Sequence, residues 1–137
     1  MKHSKLTTQW LKTHYPLNVW RNRKRVHHWS WRKCLEFSIH KWEGLNAETL
    51  LAHRLHTDGN VVAVNSTNHA LLSIGPLSCP LCIKSSKSSD PDCHACILDK
   101  YGPVCDDSAW WEWTTHRRTE PMLQLLRSAL DWETQKK

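Results

Sequence analysis

Five of the six cysteines fall within Ser78–Cys105, SCPLCIKSSKSSDPDCHACILDKYGPVC. Cys79-Pro-Leu-Cys82 and Cys93-His-Ala-Cys96 form two C-x2-C pairs with ten residues between them. Two residues between thiolates let both sulfurs reach one metal from a single tight turn, and two such turns supply a tetrahedral set. Four thiolates suit zinc, so Zn2+ is the expected cofactor, with an iron–sulfur cluster as the alternative. Cys105 is a fifth candidate. The set Cys79, Cys82, Cys96 and Cys105 competes with the symmetric one, and spacing alone leaves the choice among the five open. His69 and His94 lie near the pairs, but in a chain with ten histidines each is expected to be an ordinary surface or core residue. A closed four-sulfur site has no position for water, so the expected role of the metal is structural. Ile83 and Ile97 follow the second cysteine of each pair, where a small residue is usual, and so predict turns that run into packed structure.

A second chemistry sits upstream, in RNRKRVHH (Arg21–His28) and the residues after it. Arg21, Arg23, Lys24, Arg25, Arg32 and Lys33 have the charge to neutralise phosphates, and Trp20, Trp29 or Trp31 the ring faces to stack on bases. The plainer reading is a solvated basic segment whose tryptophans dock on the core. Catalysis has less to stand on. Glu48, His53 and His56 are spaced i, i+5, i+8, and a nuclease built beside a zinc knuckle needs a histidine base that is missing between Cys82 and Cys93. The expectation is therefore a non-enzymatic protein, with a metal-dependent nuclease as the weakest alternative.

These groups must be positioned by a chain of 137 residues, enough for one small domain. Nine tryptophans carry much of its apolar content, and each buries a large area. Residues 1–56 hold eleven Lys and Arg against three Glu, whereas residues 57–137 hold eight against ten acids. A basic head on a mildly acidic body predicts a polyanionic partner for the head. The start, MKHSKLTTQWLKTH, lacks the apolar run of a secretory signal, and Ala70–Leu77 is too short to cross a bilayer. The expected setting is cytoplasmic, with no membrane partner, where reduced cysteines bind metal rather than pair.

The best helical stretch runs from Ser30 to Gly44. Ser30 is its expected cap, Gly44 its expected left-handed stop, and Trp31, Leu35, Ile39 and Trp42 its apolar stripe. Cys34 flanks that stripe and reads as a buried thiol. Asn46 caps a helix expected over Ala47–Leu55, with Leu50, Leu51 and Leu55 on its apolar face. Asp58-Gly59-Asn60 signals a turn before the strand candidate VVAV, Val61–Val64. Two further helices are expected, over Asp106–Arg118 and after Thr119, the last burying Met122, Leu125, Leu126, Ala129 and Leu130. The expected fold is mainly α with a short β element, a small single domain organised around a cysteine-ligated zinc loop. Residues 1–29 would be a basic, Trp-rich N-terminal extension and 30–137 the α-rich zinc-stapled domain.

The order of a Trp-ended helix (LEFSIHKWEGL), CPLC, a polar spacer, CHAC, a lone Cys105 and a Trp-rich segment resembles a group of small cysteine-rich proteins of bacteriophages and prophages. The matching positions are Trp42, Cys79, Leu81, Cys82, Cys93, Cys96, Cys105 and Trp113, within residues 31–130. Ile97 departs from that pattern, which usually has Pro after the second pair. The resemblance implies a zinc-binding protein of viral origin, working in the bacterial host cytoplasm. Its partner would be a host or phage protein, or nucleic acid; no activity is implied.

Overall fold

The computed structural model describes residues 4–74, 78–85, 97–98 and 108–135. Side-chain caps start three of the first four helices. Helix α1 (Lys5–His14) opens at Ser4, whose hydroxyl accepts the Thr7 N–H at 3.2 Å. After the four-residue α2 (Arg23–Val26), Ser30 caps α3 (Trp31–Glu43) by accepting the Lys33 N–H at 3.1 Å. Asn46 does the same for α4 (Ala47–Ala52), accepting the Thr49 N–H at 2.9 Å.

Three short strands follow, β1 (Leu55–Asp58), β2 (Val61–Val64) and β3 (Ala70–Ser73), in an antiparallel sheet of that order. Asp58 pairs with Val61 across the two-residue turn Gly59-Asn60, and Gly59 takes φ 59°, where a side chain is strained. The Val62–Leu72 pair places two apolar residues against the core. Helices α5 (Pro80–Ser85), α6 (Ser108–His116) and α7 (Glu120–Gln135) complete the described chain. The molecule is mostly helical with this small sheet, in agreement with the coarse expectation from sequence. Among the described residues no helix is long and apolar enough to cross a membrane.

Helix α3 organises the core, packing most extensively on α7 and also on α1 and α5. Its Cys34, Leu35, Ile39 and Trp42 join Trp10 and Tyr15 from the N-terminal segment and Trp113, Met122, Leu126 and Ala129 from the last two helices. Trp42 meets Trp113 edge-on at 5.3 Å between ring centroids. Residues before Ser30 thus share the main core, and the Trp10 indole N–H donates to the Gly44 carbonyl at 3.0 Å.

Local expectations change in three places. Gly44 is not left-handed: its φ is −86°, and glycine is needed because an added Cβ would stand 2.4 Å from the His14 ring. The helix expected to reach Leu55 stops at Ala52, since Arg54 turns at φ 57° and Leu55 begins β1. That early stop leaves Leu51 73% exposed while Leu50 and Leu55 are buried. In α7, Leu123 joins Met122, Leu126 and Ala129 in the core, while Leu125 and Leu130 are only partly covered.

Candidate metal centre and basic face

Cys79 immediately precedes α5, and Pro80 occupies the first helical position, where a missing N–H costs nothing. The sulfur of Cys79 accepts from the N–H groups of Leu81 and Cys82 in the first turn. Its thiol is pulled from 9.0 to about 5, first by the hydrogen bond from the Cys82 thiol. The positive charge of Lys41 and the N–H groups of Cys82 and Leu81 pull the same way, against burial, which pushes it up. The surroundings of Cys79 thus favour its thiolate, the form that binds metal. Cys34 behaves in the opposite way: burial in the core, then the negative charge of Cys79, pushes its thiol up to about 12. It is the inert, buried thiol that its place beside the α3 stripe suggested.

Lys41 is the residue that sequence reading passed over. It is 1% exposed, and its Nζ donates to the Ser78 hydroxyl at 3.3 Å and the Ser78 carbonyl at 3.4 Å. Among the described residues no carboxylate ion-pairs with it. A buried ammonium calls for a compensating anion, and Cys79 supplies the negative charge that couples to it. One sequence signal was legible: Lys41 lies i+7 from Cys34 and i+3 from Ser38, on the buried side of α3.

Cys79 and Cys82 lie within hydrogen-bonding reach of each other, so this C-x2-C turn brings its two sulfurs together. Cys93, Cys96, Cys105 and His94 lie outside the described residues. Among the described residues no three His, Cys, Asp or Glu side chains gather as a metal group. Glu48, His53 and His56 are not drawn together either. His53 closes α4 with its Nδ1 2.7 Å from the Thr49 carbonyl, and His56 on β1 has its Nδ1 2.7 Å from Asn65 Oδ1. His69 stands exposed at the entry to β3.

The basic residues form a separate face. Arg21, Arg23, Lys24, Arg25, Arg32 and Lys33 are all exposed. The residues Arg21–Arg25 line a shallow concavity of about 360 Å³. Among the described residues, Arg21, Lys24 and Arg25 meet no carboxylate, and of the six Arg32 has one, Glu36, at 3.7 Å. The tryptophans lie beneath the cations rather than beside them. Arg23 covers Trp20 at 4.5 Å, Lys33 covers Trp29 at 4.5 Å, and Lys84 from α5 covers Trp31 at 5.1 Å. Trp29 also packs on Phe37, with ring centroids 5.5 Å apart. Their ring faces are thus covered by long basic side chains.

Comparison of the chain with family models, curated proteins and solved structures found no match.

Proposed function

We propose that this is a non-enzymatic binding protein whose basic face grips the phosphate backbone of a nucleic acid. The observation that carries the reading is the exposed cluster of Arg21, Arg23, Lys24, Arg25, Arg32 and Lys33, in which Arg32–Glu36 is the one ion pair among the described residues. Exposed cations of this kind can neutralise phosphates and so displace the counterions condensed on a nucleic acid. The body behind the face would be stapled by Zn2+ held through Cys79, Cys82 and two of Cys93, Cys96 and Cys105. The Cys79 thiolate and the buried charge of Lys41 support that assignment, since an anionic zinc–thiolate cluster gains from a nearby cation. The resemblance to phage proteins would put the partner in an infected bacterial cell.

Titration of a fluorescein-labelled oligonucleotide against the purified chain over a series of salt concentrations tests the reading. Log affinity should fall linearly with log salt, with a slope reporting several phosphates, and metal analysis should find one zinc per chain. Salt-independent binding, or none, sinks the nucleic-acid assignment. A second reading, protein binding, draws on Trp111 and Trp132, which are 53% and 59% exposed on α6 and α7. Oligonucleotide binding unaffected by charge reversal at Arg21, Lys24 and Arg25 would favour it.

A further inference from the structure

The cysteine pair and the basic face touch the same six-residue helix. The N–H of Ile83 in α5 donates to the Cys79 carbonyl at 3.0 Å, and the Ile83 carbonyl faces His27 Nδ1 at 3.4 Å. The next residue, Lys84, donates from Nζ to the His27 carbonyl at 3.3 Å. The Ile83 side chain, 6% exposed, completes a second small core with Val19 and Val26, both wholly buried beneath the basic segment. Trp20, Trp29 and Phe37 wall that core. The curl of chain that carries Arg21–Arg25 thus rests on a residue directly after Cys82.

A helix of six residues has little stability of its own, so its position comes from packing, through Leu81 in the main core and Ile83 in the second, and from whatever binds its first turn. Bonds from a metal to Cys79 and Cys82 would clamp the first turn of α5. The second core would then hold its far side against α2. Displacing α5 removes the Ile83 plug, frees the curl and withdraws Lys84 from the face.

We infer that metal capture at the cysteine pair and nucleic-acid binding at the basic face are thermodynamically linked through α5, with Ile83 as the connecting side chain. The inference rests on the reading proposed above and adds a regulation to it: the metal state sets the grip on phosphate. Linkage is reciprocal, so bound nucleic acid must tighten zinc by the same factor that zinc tightens nucleic acid.

The test measures affinity for a fluorescein-labelled oligonucleotide at constant ionic strength. The full chain is compared zinc-loaded and stripped by a chelator under reducing conditions. Stripping should weaken binding by roughly 5–150-fold, the usual range of such couplings. In the reverse experiment, saturating oligonucleotide should raise the zinc affinity of the wild-type chain by an equal factor. Zinc-loaded Ile83→Ala keeps every cysteine and surface cation, yet should show a smaller factor. Equal affinity with and without zinc overturns the linkage and leaves both sites standing. A zinc-loaded chain that ignores the oligonucleotide, or a chain that takes no zinc, overturns the underlying reading instead. A stripped chain that loses most of its helical circular dichroism assigns the change to global unfolding and overturns the route through α5.

Discussion

Lys33 and Lys41 lie eight positions apart on the same helix, and their surroundings have little in common. Lys33 lies in the first turn of α3, exposed, with its Nζ above the Trp29 ring. Lys41 lies in the last turn, wrapped by the core, with its Nζ hydrogen-bonded to Ser78. In water a lysine is a solvated charge available to any anion that arrives. In the core the same charge must already have its anion, or the fold bears the cost of desolvation. The comparison teaches that the positive charges of this chain do two kinds of work. Around the cysteine pair one buried cation faces a thiolate, and on the surface many cations stand in solvent.

The sharpest way to break the comparison is chemical. In metal-free protein near pH 7, iodoacetamide should label Cys79 roughly a hundredfold faster than Cys34, the one being thiolate and the other a buried thiol. Equal rates, read by mass spectrometry of the labelled peptides, would remove the contrast between the two cysteines.

Lys41→Met comes next. It removes a buried cation and leaves Cys79 without its counter-charge, so denaturant unfolding of metal-free protein should lose about 3 kcal/mol. The same variant should shift the onset of Cys79 alkylation to higher pH. Lys33→Ala, the exposed member of the pair, should change stability by less than about 0.5 kcal/mol.

Acid sharpens the contrast further. A thiol with its folded value held below the unfolded value of 9.0 contributes stability that is complete above about pH 9. That contribution is lost as pH falls through the folded value near 5. Metal-free protein should therefore become less stable between pH 9 and 5, and Cys79→Ser should flatten the profile across that window. Cys34 has the reverse sign: its contribution is complete below pH 9 and disappears as pH rises through about 12. The two cysteines should therefore tilt the stability curve at opposite ends.

The smallest effects belong to the face. Lys24→Ala and Arg25→Ala should each lower the salt slope of oligonucleotide binding by about 0.9, with stability unchanged. A variant that weakens binding without altering the slope would place that residue outside the phosphate contacts.

Much of the framework was legible along the chain because it rests on local rules. Ser30 and Asn46 cap their helices through side-chain oxygens that reach N–H groups three residues on, so no distant contact is involved. The turn at Gly59-Asn60 was equally local. Where the outcome depended on packing between elements, sequence reading fell short. Gly44 looks like a left-handed stop, but the approach of His14, from another helix, is what requires glycine there. Strands β1 and β3 went unpredicted because four-residue strands such as LHTD and ALLS have little pattern of their own and are recognised by pairing with β2.

The candidate site divides along the same line. Residue type and spacing alone marked Cys79 and Cys82 as a candidate ligand pair and Arg21–Lys33 as a dense positive run, since those properties belong to neighbours in sequence. Tertiary structure decided that Lys41 stands beside Cys79 and that Ile83 plugs the floor of the basic segment. It also laid the tryptophans beneath the cations. Each of these is a contact between residues far apart in the chain, settled by how α1, α2 and α5 pack on α3 and by the need of every buried charge for a partner.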